Sequence, residues 1–368
     1  MTPFCGRMEK NMSFFRSVGA FLKKKDVEIS AKRYGIDALG AMAQGLFASL
    51  LVGTIISTIG SQFGLDFLVT IGNFAKETYV VGAAMAVAIG YALKAPPLVL
   101  FSMVTVGAAT NSLGGAGGPL AVLIVAVVAA ELGKIVSKET KVDILVTPVV
   151  TIAAGVALAA WCAPAVGAAA EYVGELIMWA TELRPFLMGV IVSVLVGVAL
   201  TLPISSAAIC HSLGLIGLAG GAAVAGCCAQ MVGFAVMSFR ENRWGGLVSQ
   251  GIGTSMLQMG NIVKNPLIWI PPTLTSAITG PIATCVFKLQ MNGPAVSSGM
   301  GTCGFVGQIG VYTGWVNDVA SGAKAAITPM DWIGLVLISF VLPAVLTWIF
   351  GELLRKIGWI KEGDLTLE

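Results

Sequence analysis

Charge is what this sequence has least of. Only 11% of its 368 residues are Asp, Glu, Lys or Arg, where a soluble domain carries roughly a quarter. So few charges cannot cover a water-exposed surface. Histidine is reduced to one residue, His211, and the cysteines show neither CxxC nor Cys/His ligand spacing, so the sequence offers no metal site. No residues are arranged as a catalytic triad or a carboxylate pair. The chain therefore reads as a non-enzyme and calls for no cofactor. A net charge of only +3, with basic residues at segment ends, leaves a nucleic-acid partner without support. Residues 1 to 33 lack a short apolar core followed by a small-residue cleavage site, so they do not read as a cleavable signal.

Long apolar runs are what the chain does have, at 56% hydrophobic residues. Crossing the hydrocarbon core takes about 20 apolar residues, and many such stretches follow one another, separated by short polar punctuation. The expected fold is an all-α integral membrane protein of about ten transmembrane helices, some of them re-entrant or broken. The 46 glycines, set among Ala, Ser and Thr, predict close helix packing. Cys162, Cys210, Cys227, Cys228, Cys285 and Cys303 read as small hydrophobes in that packing.

Residues 1–33 are expected to form a cytoplasmic amphipathic helix and linker against membrane lipid. Phe14, Phe15, Val18, Phe21 and Leu22 share one face over 13–25, and Lys23, Lys24 and Lys25 supply charge. The transmembrane domain follows over 34–355, with a first part over 34–200 and a substrate-binding part over 201–355, and a cytoplasmic tail over 356–368. Spans are predicted at 35–60, 79–93, 97–113, 119–136 and 143–163, then a separate surface helix over 168–183 with Glu171, Glu175 and Glu182 on one face. About three short spans fit 185–239, one fits 266–287 and a last one 332–354, while 246–262 and 292–313 are broken by Gly, Pro, Asn and Gln. Broken helices at membrane depth persist where they are buried or line a cavity. The Lys and Arg bias places both termini in the cytoplasm of a bacterial inner-membrane protein.

A polar solute crossing a membrane exchanges its water shell for protein donors and acceptors, which unwound helix ends supply. The segment 253–272 concentrates them: Thr254, Ser255, Gln258, Asn261, Lys264 and Asn265, with Trp269 as a stacking face. The plainer reading makes Asn265-Pro266 a helix end and Pro271-Pro272 a helix start. His211, flanked by Ser205, Ser206 and Ser212, reads either as a solute or proton site or as a neutral histidine bonded to a backbone carbonyl. Asn111, opening a loop with four glycines, suits a ligand cradle or a tight extracellular turn. Gln308 lies in a late Gly-rich stretch that suits binding or packing.

Over 31–47 and 261–272 the sequence resembles the membrane subunit IIC of the bacterial sugar phosphotransferase system, in the perfringolysin O regulator-type branch. That resemblance implies a homodimer whose substrate-binding part moves as an elevator. It also implies a sugar held by His211, Gln258, Asn261 and Asn265, and separate cytoplasmic IIA and IIB proteins that supply phosphate. Two features depart from the pattern. The Gly-Ile-Thr-Glu-Pro motif is absent, with no glutamate anywhere in 245–317, and no IIA or IIB domain is expected after Lys356. Alternatives from other classes are a membrane sensor that binds a ligand without flux, and an ion-coupled carrier in which His211 or Glu77 titrates.

Overall fold

The computed structural model describes residues 20–30 and 32–367, and within them the chain is helical with a single isolated bridge, between Gly217 and Met291. Most of the expected 13–25 helix lies outside the described residues; 20–24 are helical. In hydrocarbon every backbone N–H and C=O has to find its partner within the protein, so apolar runs become helices.

Helix α1 (Arg33–Phe63) contains two π turns, Arg33–Asp37 and Phe47–Leu51. It is followed by α2 (Asp66–Ala75), which the hydropathy reading did not anticipate, and α3 (Thr78–Ala92). Helices α4 (Pro97–Gly114) and α5 (Gly118–Val136) pack side by side. The chain reverses at Gly115, whose φ of 51° and ψ of −126° exclude a side chain with a Cβ.

Helix α6 (Asp143–Thr181) corrects one expectation, since the proposed span at 143–163 and surface helix at 168–183 are one helix of 39 residues with Pro148 and Pro164 inside it. Its buried positions Thr147, Thr151, Gly155, Ala159, Ala163 and Gly167 recur every fourth residue, so one narrow stripe of small side chains stays packed straight past Pro164. The acidic face was read correctly, because Glu171, Glu175 and Glu182 are exposed. At about 1.5 Å per residue, α6 is roughly 58 Å long, nearly twice a hydrocarbon core of about 30 Å.

The second half is built around α9 (Gly217–Met237), in which every residue from Ala219 to Ala235 is buried. An apolar helix without a polar face belongs inside. Helices α7 (Pro185–Thr201), α12 (Ile270–Pro281) and α14 (Pro329–Ile357) surround it. Between these lie short pieces: α8 (Ser206–Ser212), α10 (Phe239–Val248), α11 (Met259–Lys264) and α13 (Val306–Ala320). Among the described residues, Arg33–Phe63, Asp143–Thr181, Gly217–Met237 and Pro329–Ile357 are each long and apolar enough to cross a membrane, as is the stretch Pro97–Val136 that folds into the α4–α5 hairpin, while α3 and α7 are shorter apolar helices.

A clamp of charges joins the start of α1 to the end of α3. The Leu93 carbonyl accepts from Arg33 Nη2 at 2.8 Å and from Lys134 Nζ at 3.0 Å, and Lys134 also donates to the Asp26 carbonyl at 2.6 Å. Lys134 is 2% exposed and pairs with Glu131 at 2.8 Å, to which the Tyr34 hydroxyl donates at 3.2 Å. Cations at a helix C-terminus oppose its dipole. Lys25 meets the Ser137 carbonyl and Glu139 beside this clamp.

Arg33, donating to Asp26 at 2.6 Å, holds that carboxyl below its usual range. A carboxyl depressed by folding stabilises fully above its unfolded value of about 3.9, and the gain disappears as pH falls from there through the folded value. Asp26→Asn is expected to cost less than about 1 kcal/mol, as exposed pairs do. Melting of both proteins from pH 8 down to 3 checks this: the gap should hold at neutral pH and close below about pH 4.

Candidate functional site

Two backbone breaks shape the polar segment of the second half. Thr254 is extended (φ −158°, ψ 142°), and its hydroxyl accepts from Met256 N at 3.2 Å. Asn265 is extended too (φ −139°, ψ 93°), as the residue before a proline tends to be, and its Oδ1 accepts from Leu267 N. Between them, 3-10 turn Ser255–Gln258 runs into α11.

Alongside α11 lies a cavity of about 320 Å³. Three helical stripes make its walls. From α1 come Asp37, Gly40, Ala41 and Gln44; from α3 come Ala88, Tyr91 and Ala92; from the broken segment come Leu257, Gly260, Asn261 and Lys264. Spacings of three, four and seven are one face of a helix in each case. Ile36, Thr366 and Leu367 complete the lining. The site thus combines a carboxylate, two amides, an ammonium and a phenol, with small residues that leave room between them.

Of the residues singled out from the sequence, Asn261 and Lys264 line this cavity. Gln258 stands behind Asn261, accepting from its Nδ2 at 2.8 Å, while Asn265 donates to the Trp359 carbonyl at 3.0 Å and to Asp364 at 2.8 Å. Ser255 belongs to a separate buried cluster. There its hydroxyl lies 2.8 Å from that of Thr201, which also donates to Gln230 Oε1 at 3.3 Å. The Trp269 indole donates to the same Gln230 oxygen at 2.9 Å.

The remaining candidates lie elsewhere. Ser205 caps α8 by accepting from Ala208 N, and Ser206 donates to the Gly299 carbonyl at 2.8 Å, joining the two short pieces. His211, expected in apolar surroundings, is exposed, because Ile209 and Cys210 take the inward face of α8. Asn111 is buried in the last turn of α4 and donates to the Thr78 carbonyl at 2.7 Å, where it anchors the start of α3. Gln308 donates to Cys228 Sγ at 3.3 Å. Sequence reasoning passed over Asp37, Gln44, Tyr91 and Gln230. An ionisable residue at the head of a span is a functional candidate on its own, and the 37, 40, 41, 44 stripe was the available signal.

Across residues 36–367, the chain matches the family described as "Phosphotransferase system, EIIC". The chain belongs to that family. EIIC is the transporting membrane component of a phosphotransferase system, and phosphoryl transfer falls to other components. This EIIC is accordingly a multi-pass membrane protein and a component of sugar transport. The chain matches no curated protein and no solved structure. Among the described residues of this EIIC, no group of three His, Cys, Asp or Glu side chains could hold a metal ion.

Proposed function

We propose that this EIIC carries a neutral sugar, or a polyol of similar size, by elevator-type alternating access, with the cavity between α1, α3 and α11 as the solute site. The observation that carries this reading is the cavity's construction: two walls come from the first half and the third from the broken segment of the second, so sliding one part past the other would transfer a bound solute. Its volume of about 320 Å³ sits at the small end of ligand sites, roughly 300 to 1,000 Å³. Asp37, Gln44 and Asn261 supply the hydrogen-bonding groups that replace water on hydroxyls, and Tyr91 supplies a flat apolar face.

The same reading includes a homodimer of about ten spans per protomer in a bacterial inner membrane, both termini cytoplasmic, working with separate IIA and IIB proteins. It also includes membership of the perfringolysin O regulator-type branch. The substrate-binding part begins near residue 201.

Purified protein in liposomes tests the site through calorimetric binding and uptake of labelled hexoses and hexitols. Asp37→Asn and Asn261→Ala should each weaken binding about tenfold or more, the equivalent of one hydrogen bond to a charged group or one left unmade. Unchanged binding by both variants would place the solute elsewhere.

A further inference from the structure

The segment after α14 does not leave the protein. Ile360 is 2% exposed and Leu365 fully buried, packed with Phe234, Met237, Ile262, Ile268 and Leu354. Its backbone is held by amide side chains. Asn242 Nδ2 donates to the Leu365 carbonyl at 2.7 Å and Asn242 Oδ1 accepts from Leu367 N at 2.8 Å. Gln258 Nε2 donates to the Leu365 carbonyl at 2.9 Å, and Asn261 Nδ2 donates to the Thr366 carbonyl at 2.9 Å.

These contacts decide which way round the amides sit. A backbone carbonyl can only accept, so whichever end of an amide faces one must be its nitrogen. The Gly246 carbonyl, 3.0 Å from Gln250, fixes that side chain and turns its Oε1 toward Gln258, which donates to it at 2.9 Å. The Leu365 carbonyl fixes Gln258 and turns its Oε1 toward Asn261. The Thr366 carbonyl, together with that oxygen, takes both hydrogens of Asn261 Nδ2. What Asn261 has left for the cavity is Oδ1, an acceptor.

We propose that residues 365 and 366 set the specificity of the solute site by holding Asn261 with its carbonyl inward, so that it recognises a hydroxyl as a donor. With the Asp37 carboxylate on the facing wall, two acceptors meet the solute, which suits the hydroxyls of a neutral polyhydroxylated molecule. This inference rests on the cavity being the solute site, and Asn261 serves there as a binding residue positioned by Gln258 and the post-helical segment.

The test uses the full chain in liposomes and hexoses in which each hydroxyl is replaced in turn by hydrogen or by fluorine, which accepts but cannot donate. The position whose sensitivity disappears in Asn261→Ala is the one that meets Asn261. There the deoxy and fluoro sugars should bind equally poorly to the wild type, at least about tenfold below the parent. Shortening the chain after Asp364 in a Gln258→Met background frees the amide, and the fluoro sugar should then recover severalfold over the deoxy sugar. If this variant does not fold, the wild-type comparison still decides. A fluoro sugar bound like its parent at that position overturns the inference while leaving the site in place. Sugar binding untouched by Gly40→Trp, or no sugar bound at all, overturns the site and the inference together.

Discussion

Gly40→Trp is expected to abolish solute binding and uptake while the protein still folds. Gly40 stands between Asp37 and Gln44 on the cavity face of α1, and a Cβ added there meets no other atom within 4 Å. An indole would therefore grow into the space that the solute needs, without pressing on a neighbouring helix. Gly40→Ala, adding only a methyl group, should retain most of the binding. The check is calorimetry on both variants beside thermal melting in detergent, with the melting temperature of Gly40→Trp unchanged to within a few degrees. Full binding by Gly40→Trp would remove the cavity from consideration.

Gly226→Leu should do the opposite and cost the fold itself. A Cβ at position 226 would lie 1.9 Å from the Ser193 carbonyl oxygen and 2.5 Å from its carbon, both backbone atoms of α7. Neither can rotate away, so α7 or α9 must shift, and α9 is buried on all sides. Overfilled cores commonly lose about 1 to 3 kcal/mol. A whole side chain driven into backbone belongs at or above the upper end, so a loss of about 3 kcal/mol or more is expected. Size-exclusion profiles and melting curves in detergent measure it, and a well-folded Gly226→Leu would contradict the packing of α7 on α9.

Much of the architecture could be read from apolar run lengths and from the prolines and glycines that punctuate them. The hairpin of α4 and α5 is an example, marked by four glycines around residue 115. Reading failed where punctuation did not punctuate. The span expected at 143–163 stops just short of Pro164, but the stripe of small residues at every fourth position keeps α6 packed on both sides of that proline. Helix α2 is only 10 residues long, too short for a hydropathy signal.

The site was half legible. Asn261 announced itself as an amide in an apolar context. Asp37 did not, because a charge near the end of a span passes for an anchor until its partners at 40, 41 and 44 are set on one face. The post-helical segment gave no sign at all. It has no periodicity, and besides the buried Ile360 and Leu365 what holds it is side-chain amides bonded to backbone, a pairing in which residue identity on the carbonyl side carries no information.

The π turn at Phe47–Leu51 lies directly after the cavity stripe of α1. A π turn holds one residue more than the α turn it replaces, so it acts as a phase shifter between two lengths of the same rod. Below it the rod shows Asp37 and Gln44 to the cavity; above it, a different set of side chains carries on the packing. Drawing that turn into α geometry with every residue kept would swing one length against the other by about 100°. The carboxylate and the amide would then face away from the cavity, though neither had been altered.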